Sequence, residues 1–281
     1  MNLPLFIERV IKKELKRDIL SVSFQNDLDL SKYTILTNKG YLAIRYSDTK
    51  ELIDKIEKVV MLCRNEGVTV AEIVYSDPYL LIEKIEGEPF VQKRLHIFDY
   101  NKVLTSFAQQ LIKLHAIDYD KLKFLESSST SPAKPSPQDQ LKILRKKNIL
   151  TLPDADKIIT LLQKKQPKSY RMLLHGNIAS SILYVNKNLE VTSIINFSKP
   201  IIGDPNYEMA GFLINEGFDR TRRLIKSYYL AGGFVEWDSP FFITTSVKRV
   251  IDTLLWRMEK KQTQTEKLER ILHKLISSSV G

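Results

Sequence analysis

Residues 173–213 read LLHGNIASSILYVNKNLEVTSIINFSKPIIGDPNYEMAGFL, and the pattern changes three times within them. His175-Gly176 marks a turn. The apolar runs ILYV and SIINF that follow read as a strand pair. Asp204-Pro205 then reads as a helix N-cap followed by a first-turn proline. The stretch therefore predicts turn, strand, strand and helix, with its polar side chains concentrated in the connections.

Toward the amino terminus, residues 4 to 17 carry Leu5, Phe6, Val10 and Ile11 on one side and Arg9, Lys12, Lys13 and Lys16 on another. That is an amphipathic helix pattern, expected to dock on the domain rather than on a membrane surface. From Ile19 the period shortens to that of strands: ILSVSF, YTILT, a turn at Asn38-Lys39-Gly40, then YLAIRY. Gly40 supplies the permissive backbone of a hairpin turn, so the segment reads as a three-stranded meander. A helix follows over Lys50 to Asn65, with Leu52, Ile53, Ile56, Val59, Val60 and Leu62 as its apolar face. VTVAEIVYS and YLLIEKIEG read as two more strands.

Beyond Gly87 the pattern is helical in LTSFAQQLIKLHAIDYDKL and RRLIKSYYLAGGF, and again from Ser246 to Ser277, where QTQT interrupts it and predicts two helices or a bend. SSSTSPAKPSP, from Ser127 to Pro137, holds too few apolar groups to bury itself and reads as a mobile loop.

Composition bounds the remaining possibilities. The 281 residues suffice for a substantial core, and their formal charge is +10. The basic clusters KKELKR, RKKN, KKQPK, DRTRR and RMEKK are dispersed and mixed with acids, as on solvated helix faces, so nucleic acid is not the expected partner. Cys63 is the one cysteine, which rules out an internal disulfide and reads as a buried helix residue. The histidines His96, His115, His175 and His273 lack metal-ligand spacing. No apolar run approaches the roughly 20 residues that span a bilayer, and a cytoplasmic chain without a transmembrane segment is expected.

Five strands with one helix inserted after the third, then Gly87, a helix ending in Leu-His-Ala, and the HGN and INF sequences resemble the aminoglycoside phosphotransferase and choline kinase-like superfamily. The resemblance covers roughly residues 19 to 235. It implies an α+β, two-lobed protein kinase-like fold: a five-stranded antiparallel amino-terminal lobe over residues 1–87 and a mostly helical carboxy-terminal lobe over 88–281, together one kinase-like unit.

The resemblance also assigns roles. Asn177, beside His175, stands where the family has its catalytic Asp; Ile182 stands where it has a metal-binding Asn; and Asn196 stands where it has the Asp that binds magnesium. Ser181, next to Ser180, is the nearest substitute ligand. Arg45 replaces the Lys that grips phosphate, and Glu57, or else Glu51, is expected to pair with it. The phosphate-covering loop falls on Gln25–Lys32, which has no glycine and two acids, so close backbone approach to phosphate is harder. Backbone groups of Glu83 and Ile85 would meet an adenine.

An amide accepts a hydrogen bond but takes no proton, and magnesium prefers carboxylates. The expected function is accordingly that of a degenerate pseudokinase acting by binding or scaffolding, with no ATP or only weak ATP binding. The partner would be an unidentified protein or small molecule. The alternatives are an atypical ATP- and magnesium-dependent kinase acting on a hydroxyl group, and a basic anion-binding protein.

Overall fold

The alternation in ILSVSF, YTILT and YLAIRY becomes one side of a five-stranded antiparallel sheet in the computed structural model, which describes residues 3–27, 30–90, 97–128, 135–163, 170–262 and 265–278. Its strands are β1 (Ile19–Asp27), β2 (Leu30–Thr37), β3 (Gly40–Tyr46), β4 (Glu72–Asp77) and β5 (Leu80–Ile85), in the order β1-β2-β3-β5-β4. Helix α1 (Leu5–Arg9) runs into a π-helical turn over Val10–Glu14, and α2 (Lys50–Asn65) connects β3 to β4. Gly40 closes the β2–β3 hairpin at φ 97°, a backbone conformation that costs glycine little.

The sheet is two-faced because side chains alternate along each strand. Tyr33, Ile35, Leu42, Ile44, Leu80 and Ile82 point to one face and form a core with Ile7 and Ile11. The amino-terminal helix thus docks on the domain, but only part of its expected apolar side, Val10 and Ile11, packs on the core. Leu5 is 73% exposed and Phe6 43%, whereas Ile7 and Ile11 are fully buried. Residues four apart share a helix face, and Leu5 lies about 200° around the helix from Ile7.

The expected loop over Gln25–Lys32 is also corrected. The β1–β2 ladder runs through Gln25↔Lys32 and Asn26↔Ser31 to Asp27↔Leu30, and residues 28 and 29 lie outside those described. Ladder hydrogen bonds join backbone groups whatever the side chains are, so the polar residues that the resemblance gives to a loop continue the strands instead.

The chain continues with β6 (Glu88–Pro89), α3 (Ile97–His115), a 3-10 segment (Tyr119–Ser128), α4 (Pro137–Lys146), α5 (Leu152–Gln163), β7 (Met172–Leu174), β8 (Leu183–Val185), β9 (Val191–Ile194), β10 (Ile201–Gly203), α6 (Pro205–Glu216), α7 (Phe218–Leu230), α8 (Pro240–Glu259) and α9 (Glu266–Ser278). The loop expected over Ser127–Pro137 falls largely on residues 129–134, outside those described. Residues 1–114 with 180–200 form one compact unit, and residues 115–179 with 201–281 form another. The first adds the small sheet β6-β8-β9; the second holds the β10-β7 pair among helices. Cys63 is buried on α2, and burial pushes its thiol up to about 12, as befits an inert core residue.

The docking geometry yields a stability contrast. Ile11→Ala should cost about 2–5 kcal/mol in urea unfolding, and Leu5→Ala about 0.5 kcal/mol or less. Equal losses would mean that α1 does not pack through its Ile7–Ile11 side.

Candidate functional site

In the second unit the turn read from His175-Gly176 is held by a carboxylate the sequence did not point to. Glu208, in the first turns of α6, accepts from the His175 N–H at 3.0 Å and from the Gly176 N–H at 2.8 Å. Its Oε2 also lies 3.3 Å from Nε2 of His115, whose Nδ1 meets the Tyr228 hydroxyl at 2.8 Å. Burial by itself would push the Glu208 carboxyl up. The hydrogen bond and attraction of His115, the nearby His175 and the Gly176 N–H together outweigh it and hold the carboxyl below its ordinary value.

The carbonyl side of the same turn is held by Arg249 of α8. Its Nη2 donates to the Gly176 oxygen at 2.9 Å, its Nη1 donates to the Tyr207 oxygen, and the guanidinium stacks 3.8 Å from the Tyr207 ring centroid. Gly211 makes room for it, since a Cβ there would stand 2.6 Å from Nη2. Asp204 caps α6 as expected, accepting from Asn206 N–H at 2.9 Å, and its other oxygen accepts from Tyr170 N–H at 2.9 Å.

His175 is buried and Asn177 exposed. The Asn177 N–H donates to His175 Nδ1 at 3.4 Å, and Asn177 Oδ1 accepts from Asn215 Nδ2 at 3.4 Å. Asn215 also donates to the Ile178 oxygen at 2.9 Å. His175 is thus part of the turn's scaffold, and Asn177 presents an amide at the surface of this unit.

The other candidates lie in the first unit. Arg45 and Glu57 are not partners: Glu57 Oε2 accepts from the Ser76 hydroxyl at 2.9 Å. Arg45 instead lies 3.4 Å from Glu83, with the two side chains 2% and 1% exposed. The register explains the pairing. Ala43 stands opposite Glu83 and Arg45 opposite Leu81, so Arg45 and Glu83 are diagonal neighbours on one face. The charges meet without hydrogen-bond geometry, since Arg45 Nε and Nη2 and both Glu83 oxygens lack a hydrogen-bond partner. Burial pushes the Glu83 carboxyl up, and Arg45 pulls it partly back.

Glu83 also lies opposite Ile73 of β4, so its backbone belongs to the middle of the sheet. Ile85 is buried opposite Tyr41. The backbone of Glu86, just beyond, is tied within the unit: its N–H donates to Ser193 Oγ at 2.9 Å and its oxygen accepts from Thr192 Oγ1 at 2.7 Å.

Asn196 adopts φ 74°, its oxygen accepts from the Ser198 N–H at 2.7 Å, and its buried Oδ1 has no hydrogen-bond partner. Ser180 and Ile182 are buried in a short 3-10 turn, from which Ser181 projects exposed. Ser180 Oγ lies 3.2 Å from the Tyr100 hydroxyl.

The family model described as the phosphotransferase enzyme family matches residues 26–240. The chain belongs to that family. Solved structures agree on the fold. The GDP complex of wild-type aminoglycoside 2'-phosphotransferase-IIIa is 17% identical, with a TM-score of 0.69 over 99% of this chain and 100% of that one. The macrolide 2'-phosphotransferase type I is 15% identical, with a TM-score of 0.61 over 96% of each chain. No curated protein sequence is significantly similar. This member of the phosphotransferase family has the aminoglycoside phosphotransferase, protein kinase-like fold, and no described helix is long and apolar enough to cross a membrane.

Magnesium, which the fold family implies, needs an anionic oxygen donor set. The assigned positions offer the amides of Asn177 and Asn196, the hydroxyl of Ser181 and the hydrocarbon of Ile182. Among the described residues no three His, Cys, Asp or Glu side chains cluster to hold a metal ion. These residues do not fit a magnesium ion.

Two outcomes follow. Removing one member of the buried pair, by Arg45→Ala or Glu83→Ala, should cost about 3–5 kcal/mol, while Arg45→Met with Glu83→Leu should return most of it. A double-mutant cycle in urea reads this, and additive losses would sink the pairing. For Glu208, a carboxyl held below its ordinary value contributes stability that is full at neutral pH and lost as pH falls below about 4.5 toward its folded value. Glu208→Gln should therefore destabilise at pH 7 and flatten the acid limb of stability against pH; an unchanged acid limb would contradict the assignment.

Proposed function

We propose that this family member is a degenerate phosphotransferase, a pseudokinase that acts by binding or scaffolding rather than by transferring phosphate. The observation that carries the reading is the neutrality of the chemical positions: amides at Asn177 and Asn196, hydrocarbon at Ile182. Phosphoryl transfer rests on positioning and charge neutralisation by metal ions and a carboxylate that orients the acceptor. Arg45 adds support. The cation standing where the family grips phosphate is already matched by Glu83 inside the sheet.

The two lobes of this reading are residues 1–87 and 88–281. Glu208 and Arg249 hold the backbone of the HG turn, and that role needs no phosphate transfer. The partner is a protein or small molecule, and the dispersed basic clusters give no reason to name nucleic acid.

Purified protein should consume no ATP above the buffer rate with magnesium and a panel of amino alcohols, aminosugars and other hydroxyl compounds. Loss of a positioned acid-base group alone costs about 10²–10⁴ in rate, so the decisive variant is Asn177→Asp with Asn196→Asp. It should remain inactive, because Arg45 and the sequence Gln25–Lys32, with no glycine and two acids, also depart from the family pattern. Robust turnover by the wild type, or by that double variant, would overturn the reading.

A further inference from the structure

The face of the sheet opposite the α1 core is filled by side chains of the same unit. Thr34, Ala43 and Glu83 stand directly opposite one another across β2, β3 and β5, with Lys32 opposite Arg45 and Leu36 opposite Tyr41. All of them therefore share that face. Against it lies Tyr184 of β8, 3% exposed. Its ring centroid is 5.6 Å from that of Tyr41, and its hydroxyl is hydrogen-bonded to Thr34. Tyr184 thereby bridges β2 and β3 from the small sheet. Burial, with Tyr41 nearby, pushes its phenol up to about 12, consistent with a closed surrounding.

Two demands of a nucleotide can be set against this arrangement. A planar base needs a slot with apolar walls on the face; here an aromatic ring already occupies the surface beside Tyr41. A polyphosphate needs donors of a free cation; here the guanidinium stands beside a resident carboxylate. The unmade hydrogen bonds are informative. Arg45 keeps Nε and Nη2 without hydrogen-bond partners, and both Glu83 oxygens are likewise unsatisfied. Nη1 donates to the Ile44 oxygen at 3.2 Å, so Glu83 supplies charge to Arg45 while Nε and Nη2 stay unused, and those two donors are what a phosphate would take.

We infer that Tyr184 and Glu83 are an internal plug of the nucleotide face, the ring standing in for a base and the carboxylate for a phosphate, so that the ring keeps out the base and the carboxylate keeps out the phosphates. This deepens the reading of the previous subsection and rests on it for the identity of the face. It names the residues that decide ligand access, and it makes the exclusion of nucleotide a property of two side chains rather than of the fold.

The test is metal-free ADP binding, measured by calorimetry in EDTA, for the wild type and for Tyr184→Leu with Glu83→Gln. The double variant should bind ADP at least about tenfold more tightly than the wild type. Tyr184→Phe, which keeps the ring, should show no gain, and adding Arg45→Met to the double variant should erase it. A double variant that unfolds cooperatively yet binds no better than wild type overturns the plug, as does a wild type that binds as well as the variant. If the double variant does not fold, Glu83→Gln alone decides with tripolyphosphate as the probe: tighter binding than wild type supports the plug, and equal binding overturns it. Phosphate transfer by the wild type would sink the pseudokinase reading separately, since the plug is judged on affinity alone.

Discussion

Because the Glu208 carboxylate accepts from two successive backbone N–H groups and approaches His115 as well, the HG turn, α6 and the end of α3 cannot be placed independently. A buried carboxylate is tolerable only when its lone pairs are occupied, so the sequence around each donor is constrained by the need to reach it. The constraint spreads outward through the other side of the turn. Arg249 ties the Gly176 carbonyl to α8, and Lys267 of α9 donates to the Asn215 oxygen at the end of α6 at 2.6 Å. Helix α6 is buried all round, from Pro205 to Ile214 apart from Tyr207, and that is the expected condition of a helix that others pack upon.

The same accounting of buried charge explains the first unit. A guanidinium on an interior sheet face, 2% exposed, would be an uncompensated cation if nothing anionic stood near it. The chain supplies the counter-charge itself, from the adjacent strand. Among the described residues, two of the buried charges have their partners within the chain, Glu208 with its donors and Arg45 with Glu83.

Much of the fold was legible because it is written in local periodicity. The meander with its Gly40 turn, the helix over Lys50–Asn65, the two following strands and the break at QTQT need only the sequence within each element. What escaped is non-local. The family resemblance implies that Arg45 pairs with Glu57, or else Glu51, but the partner is fixed by strand order: β5 inserts beside β3, and its register puts Glu83 diagonal to Arg45. Strands β7 and β10 have three residues each, too few for alternation to be read. Glu208 and Arg249 act across dozens of residues, and the local hints were slight, a glutamate and a glycine, Gly211, at the apolar middle of α6.

Asn196 shows how far residue type can be read as chemistry. Its left-handed backbone is well tolerated by asparagine and aspartate alike, so the backbone does not select the amide over the acid. Its surroundings do. Oδ1 is buried with no hydrogen-bond partner, which an uncharged oxygen tolerates at modest cost. An ionised carboxylate in that place would need a cation or several donors to offset its desolvation. Ile182 differs, because its burial within the 3-10 turn explains a hydrocarbon by packing alone. The amide at 196 is therefore the more informative of the two, because packing alone does not account for it.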